Sequence, residues 1–337
     1  MKKILEKLCI DKGISGDESG MLNIVREMMG DFTDIIFDNS GNIIASMGDK
    51  NADKHIMLDA HIDRIGLTVT YIDDRGFIKA EPVGGIDLRT LPGSTVRIFG
   101  KKTLLGVICT MPPHLSKDDG ELSRDKIWID LDLPAQDVRE LVSLGDSIIV
   151  CSVFAELLND RVAVSSLDNR SGCAVLVKTA LTLRDKNLPC RVSFTFTVQE
   201  ETSELGAATA AFSLRPDEAV VVDVGFAAQD GVPAEKSGSL GCGGIISISP
   251  VLSRDVTKKL EELAQRLEMQ CDYEVCGGST GTNADKISVS GSGVKTGVIS
   301  VPAKNMHTQV EIVSLKDMER VSELLAAYVM EGGAQNA

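Results

Sequence analysis

The sequence predicts an α/β protein with a mixed central sheet flanked by helices, interrupted by a small β-barrel insert. Three observations predict it. Apolar strands and amphipathic helices open the chain; from about Gly66 to Phe154 the texture changes to short β-rich runs broken by Gly, Pro and Asp; after Asn159 the alternation of strands and helices returns. The boundaries follow: residues 1–66 and 155–337 form one discontinuous domain, and 67–154 the β-rich insert. At 337 residues and 43% hydrophobic content the chain can bury a large core, and chains of this length usually divide into two domains.

Met21, Leu22, Val25, Met28 and Met29 share one side of a helix expected over Glu18 to Met29. DIIFDNSGNIIASM reads as a hairpin about Asn39-Ser40-Gly41-Asn42, and HIMLDAHID as a buried strand ending in polar residues. In the insert, GLTVTYI, STVRIFG, LLGVICT, DKIWIDLDL and DSIIVCSVF are strands of a small barrel, with one short helix at AQDVRELV. Beyond it come a helix from Ser171 to about Arg184, the strand RVSFTFTV, a helix over LGAATAAF and the strand EAVVVDV. The strand GIISIS follows, then a helix from Ser253 to Met269 with Val256, Leu260, Leu263 and Leu267 in register. The strand VKTGVISV and a helix after Ser314, where Ser314 and Asp317 have capping-box spacing, close the chain.

Composition narrows the function. A formal net charge of −14 opposes both the phosphate backbone and anionic lipid, so neither nucleic acid nor a membrane surface is an expected partner. No apolar run approaches ~18 residues, and the N-terminal MKKILEKLCIDKG lacks a signal-peptide core. Eight cysteines, scattered through apolar segments without a C-x-x-C pair, read as reduced residues of a cytoplasmic protein.

The residues able to carry chemistry gather at strand ends. Gln199-Glu200-Glu201 ends the strand Val192 to Val198; two adjacent glutamates can share a site only if the backbone turns there, and otherwise they are surface acids. His61 and Asp63 form an H-x-D at the end of IMLDA, with i and i+2 on one face, so the carboxylate can orient the imidazole. Asp168, ahead of a helix, is either a loop or capping acid or a carboxylate bridging two cations. Asp223 lies within AVVVDVGF, where an acid is costly to bury unless paired or metal-bound. His307 lies in the loop NMHTQVE; His55 and His114 have no assigned role. His61, Asp168, Glu201, Asp223 and His307 thus fall along the edge of an open sheet where ligands gather, and imidazole plus carboxylate donors without thiolate suit zinc, cobalt or manganese. A competing motif, Gly277-Gly278-Ser279-Thr280-Gly281, matches the G-x-S-x-G nucleophile elbow and keeps a serine hydrolase at Ser279 open, although Thr280 to Asn283 stand where its helix should begin. A glycosidase would need two separated carboxylates flanking a sugar bond, and an aromatic content of 4%, with Trp128 the single tryptophan, gives little material for sugar stacking.

Taken jointly the motifs resemble the TET aminopeptidases, also called deblocking or glutamyl aminopeptidases (metallopeptidase family 42, cellulase-M-like). LDAHIDRIGLTV resembles that family's A-H-x-D-E-I-G segment, LDNRSG its D-D-R-x-G, TVQEETSELGA its V-Q-E-E-V-G-x-R-G-A and VVDVGFA its D-V-T-x-A. GTNADKI and SVPAKNMHTQVEIVSLKD resemble its C-terminal motifs, and PVGGID and GVICTMPPHL agree within the insert. The resemblance implies a zinc-peptidase-like fold and two divalent metal ions, zinc first: His61, Asp168 and Asp223 would hold one, and Asp168, Glu201 and His307 the other. It implies Asp63 as the residue orienting His61 and Glu200 as the general base. It also implies peptide substrates, and a homo-oligomer, dimer or tetrahedral dodecamer, built through the insert. The chain departs from the family at Arg64, Asn169, Ser203-Glu204, Asn283 and Thr308-Gln309. These surround the predicted ligands, so they are expected to bear on substrate preference, and a catalytically impaired member acting as a non-enzymatic assembly is the alternative.

Overall fold

The computed structural model describes residues 1–10, 12–112, 114–115 and 126–334. Its larger part is an eleven-stranded mixed sheet. Four parallel strands form the centre, in the order Arg191–Thr197, His55–His61, Glu218–Phe226 and Lys295–Lys304. They read as continuous apolar runs because both faces are covered, and every residue of His55–His61 is buried. On one face lies the helix Leu167–Leu183, whose Cys173, Ala174, Val175, Leu176 and Val177 are fully buried between the sheet and the C-terminal helix Leu315–Met330. The helices Leu205–Leu214 and Ala284–Ile287 cover the other face, packing Ala207, Ala210 and Ile287 on Met57 and Val221.

Because the central strands are parallel, their C-terminal ends reach the same edge of the sheet, and loops leaving that edge share one neighbourhood. Three outer strands were not visible in the sequence pattern: Ala155–Leu157, Arg161–Val164 and Glu311–Ser314, which extend the sheet beyond Lys295–Lys304. They are three or four residues long, too short to establish a period. The first helical turns of the expected segment Glu18 to Met29 form a 3-10 turn, Ser19–Met21, before the α-helix Leu22–Met29. Ser314 caps the last helix by accepting from the Asp317 amide at 3.3 Å. The reciprocal half of the expected capping box is not made: the Asp317 carboxylate instead accepts from the amides of Gly241 (2.7 Å) and Gly243 (2.9 Å).

The insert is a closed antiparallel barrel of six strands, Gly66–Ile72, Ile78–Val83, Trp128–Asp130, Thr103–Ile108, Thr95–Phe99 and Ser147–Val150. Leu67, Val69, Ile78, Ala80, Val96, Ile98, Ile129 and Ile148 fill it, together with Val138 of the helix Ala135–Leu141. No helix among the described residues is long and apolar enough to cross a membrane, and all eight cysteines are free.

Candidate metal centre

Each predicted residue reaches the sheet edge by a local device. His61 ends its strand, and Asp223 lies in Glu218–Phe226 with its own carboxylate accepting from the Val224 amide at 2.8 Å. After the strand Arg191–Thr197, Gln199 takes a left-handed conformation (φ 59°), which turns the chain into the short helix Glu200–Ser203. Asp63 secures that turn: its two carboxylate oxygens accept from the amides of Glu200 (3.0 Å) and Glu201 (3.1 Å). The two adjacent glutamates therefore face one site because the strand ends at Thr197 and the chain turns at Gln199. Asp168 stands at a non-helical kink (φ −80°, ψ 103°) at the start of the helix Leu167–Leu183. His307 also has positive φ, 64°, in the loop between the last two strands.

These residues converge. His61 Nε2 lies 3.2 Å from Asp168 Oδ1 and 3.6 Å from Asp223 Oδ1. His307 Nε2 lies 3.2 Å from the other oxygen of Asp168, Oδ2, and 3.4 Å from Glu201 Oε2. Among the described residues two groups could each hold a metal ion, His61-Asp168-Asp223 and Asp168-Glu201-His307, the donor atoms of each lying within 4.8 Å of one another. Asp168 belongs to both and turns a different oxygen to each. Glu200 belongs to neither, with Oε2 3.8 Å from His61 Nε2 and its side chain 13% exposed. Asp63 Oδ1 is 3.5 Å from His61 Nδ1, and the Asp63 carbonyl is 3.2 Å away.

Electrostatics describe a site short of positive charge. Burial, reinforced by the charges of Asp223, Asp168 and Asp63, pushes Glu200 up to about 8. Burial and Asp168 raise Glu201 well above the carboxylate range, and burial raises Asp223. Burial disfavours charge on Asp168 too, yet hydrogen bonds to His307 and His61 hold its carboxyl well below the usual value. Burial opposes protonation of His307, and Asp168 and Glu201 overcome it, raising the imidazole to about 10. The Oε1 of Glu201 is buried without a hydrogen-bond partner. An orphaned carboxylate oxygen among repelling acids is costly unless a cation faces it, so the donor set fits divalent metal.

One functional neighbour was missed. Glu311, buried in the strand Glu311–Ser314, accepts from the His307 amide at 2.8 Å and the Asp168 amide at 3.2 Å, placing these two members of the second group relative to one another; burial pushes its carboxyl up to about 8. The signal was available, since Val310, Ile312 and Val313 surround an acid much as apolar residues surround Asp223.

The barrel also reaches the site. The Gly85 carbonyl lies 2.9 Å from His307 Nδ1, fixing the ring so that Nε2 faces Asp168. Neither glycine of this loop could carry a side chain: a Cβ on Gly84, which has φ +79°, would come within 2.7 Å of Ile65, and one on Gly85 within 2.9 Å of His307 Nδ1.

The departures from the family pattern are placed differently from the expectation. Arg64 is buried and donates to Ser165 Oγ at 2.8 Å; Asn169 donates to the Val222 carbonyl at 2.8 Å; Asn283 donates to Asp59 and Thr197, both at 2.8 Å. These three, with Glu204, do not line the cleft in front of the ligands. Ser279 is exposed in a loop, and among the described residues no hydrogen bond joins it to a histidine. The following amides of Thr280 and Gly281 are held by Asp285 ahead of the helix Ala284–Ile287, so the loop is not a nucleophile elbow.

The model of the M42 glutamyl aminopeptidase family matches residues 41–324. The chain belongs to this family. An aminopeptidase-like relative from Acetivibrio thermocellus is 34% identical, over 98% of each chain. An aminopeptidase of the archaeon Desulfurococcus kamchatkensis superposes with a TM-score of 0.91 at 30% identity, covering 98% of this chain and 94% of that one. The TET1 peptidase of Pyrococcus horikoshii, which can assemble into a tetrahedron or a large octahedral shell, gives 0.88 at 32%, covering 98% and 99%. The M42 fold accounts for both the mixed sheet and the barrel, and makes this chain a metallo-aminopeptidase by family.

Proposed function

We propose that this M42 enzyme removes N-terminal residues from peptides at a dinuclear centre, with His61, Asp168 and Asp223 holding one divalent cation, Asp168, Glu201 and His307 the other, and Glu200 acting as general base. The observation that carries the reading is Asp168, whose two oxygens face two different histidines. Two bound cations would acidify a water and polarise the scissile carbonyl. Glu200 is placed to take the proton of the attacking water and to deliver it to the leaving amine. Its carboxyl, raised to about 8 by burial and neighbouring acids, would be drawn back toward neutrality by bound cations, the range that suits such a shuttle. Asp63 holds the Glu200 backbone, so the base and the neighbouring ligand Glu201 are positioned by one carboxylate.

Zinc suits the imidazole and carboxylate donors, with cobalt or manganese as alternatives. The assembly we propose is a homo-oligomer, a dimer or a tetrahedral dodecamer, formed through the barrel. Leu105, Met111 and Leu144, each more than 60% exposed, support an interface on the insert. Eight free thiols support a cytoplasmic location. The presence of both ligand groups and of Glu200 argues against an inert assembly.

Glu200→Gln tests the assignment. Turnover of aminoacyl chromogenic substrates should fall about 10²–10⁴-fold while the metal content is retained; near wild-type turnover would remove Glu200 from the mechanism. Chelation should abolish activity and added zinc, cobalt or manganese restore it, whereas a serine-directed phosphonate should have no effect.

A further inference from the structure

The short helix that carries Glu200 and Glu201 cannot hold itself in place. Four residues long, it lies between two left-handed residues, Gln199 (φ 59°) and Glu204 (φ 56°), and Gln199 supplies no side-chain cap. A helix this short has no stability of its own, and left-handed residues other than glycine persist only where their surroundings fix them. Here three successive amides are fixed by carboxylates from elsewhere in the chain. Those of Glu200 and Glu201 go to Asp63, and that of Gln199, at the pivot of the turn, goes to Oε1 of Glu18 at 3.1 Å. Glu18 stands 181 residues earlier in sequence, at the start of the 3-10 turn Ser19–Met21.

The loop that presents Glu18 is itself tied to the frame of the site. Glu18 Oε1 also accepts from the Gly16 amide at 2.7 Å, which sets the side chain against its own loop. Just beyond Asp63, the Arg64 amide donates to the Gly13 carbonyl and the Ser15 amide to the Arg64 carbonyl, both at 3.0 Å. Ser15 Oγ lies 3.1 Å from Thr202 Oγ1 on the short helix. Glu18 does not line the cleft in front of the ligands; it borders a separate cavity of about 320 Å³ with Leu22, Phe37 and Ile43. Its hydrogen bonds reach the site only through the Gln199 backbone. Asp63, by contrast, also faces His61, so its removal would disturb a candidate ligand as well as the turn.

We infer that Glu18 is a positioning residue for the base: from the N-terminal segment it holds the amide of Gln199, the left-handed residue that aims Glu200, and so governs turnover without lining the cleft. This rests on the assignment of Glu200 as general base above. The test measures kcat and KM for an aminoacyl p-nitroanilide in the zinc-loaded full chain and its Glu18→Gln, Glu18→Asp and Glu18→Ala variants. Glutamine keeps an acceptor oxygen at the same reach and loses the charge; aspartate keeps the charge and, one methylene shorter, withdraws the acceptor. Glu18→Ala and Glu18→Asp should lower kcat about 10–100-fold, the effect of a misplaced catalytic group, with KM within about twofold and metal content unchanged. Glu18→Gln should stay within about threefold of wild type. The opposite order, with Asp near wild type and Gln low, would mean that charge and not placement matters, and would overturn the inference. If Glu18→Ala does not fold, Glu18→Asp carries the same expectation.

Two further readouts separate positioning from general loosening. Added to Glu200→Gln, Glu18→Ala should change the residual rate by less than about twofold, because no base is left to misplace. An equal fall in both backgrounds would overturn the inference. Amide hydrogen exchange of the segment 198–204 should quicken about 10-fold in Glu18→Ala and Glu18→Asp and remain as in wild type in Glu18→Gln; equal protection in all variants would overturn it too. If no substrate is hydrolysed with any metal, or Glu200→Gln stays near wild type, the base assignment fails by itself, and exchange decides whether Glu18 holds the turn.

Discussion

His55 and His61 open and close the same strand, 8% and 1% exposed, and their imidazoles are driven in opposite directions. At the first end burial, assisted by the charge of Arg191, pushes His55 down to about 4, and its Nε2 meets the hydroxyl of Ser193 at 2.8 Å. At the other end burial acts in the same sense, but Glu200, Asp168, Asp223 and Asp63 outweigh it and raise His61 well above its ordinary value. The residue type, the strand and the burial are shared. What distinguishes the site is the arrival of carboxylates, and they arrive at one end because parallel strands release their loops there. A buried histidine is thus poor evidence for a metal centre, whereas a buried histidine facing several uncompensated acids is good evidence.

The largest effect is expected on removing Asp168, the acid shared by both candidate metal groups. Asp168→Ala should reduce bound metal below one per chain by elemental analysis and lower kcat/KM by about 10³-fold or more, the loss of several kcal/mol of charge stabilisation; two retained metals would refute the bridge. Next, His61→Ala should resist rescue by excess zinc because its position is sealed. His307→Ala, whose parent side chain is 30% exposed, should lose about 10²-fold and recover part of that in excess metal. Equal rescue of the two would mean that burial does not distinguish the positions.

The smallest effect belongs to the other end of the strand. His55→Gln should leave turnover within about twofold and change only the pH dependence of stability. The native value of about 4 lies below the unfolded value near 6.5, so between them the unfolded chain binds a proton that the native one excludes. This contribution is fully present above pH 6.5 and is lost as pH falls through 4, about 3 kcal/mol in all and about 2 kcal/mol of it by pH 5. Urea midpoints at pH 7 and pH 5 should show a smaller loss in His55→Gln than in wild type; identical losses would contradict the depressed value.

Much of this was legible in the chain. Asp223 announced itself as an acid inside an apolar strand, and the change of texture after Gly66 marked the barrel. The ordered motifs separated Glu200 from Glu201 by role, which strand geometry alone could not do. What remained hidden depended on long-range placement. Asp63 was read as the partner of His61, yet its carboxylate also accepts from both glutamate amides, 137 and 138 residues away. Glu311 sat in a strand too short to recognise. The departures at Arg64 and Asn169 were expected to bear on substrate preference because they surround the predicted site residues, but the next side chain along a backbone points elsewhere, and both turn into buried hydrogen bonds with Ser165 and the Val222 carbonyl.

The Gly84-Gly85 loop bears on how such proteins can be re-engineered. Since a barrel carbonyl sets the orientation of His307, a residue of one candidate metal group, the insert is not an exchangeable cassette. A chimera that carries a foreign barrel but misplaces this dipeptide would keep both cores and still release the His307 ring, so the barrel cannot be traded without also carrying over the carbonyl that orients it.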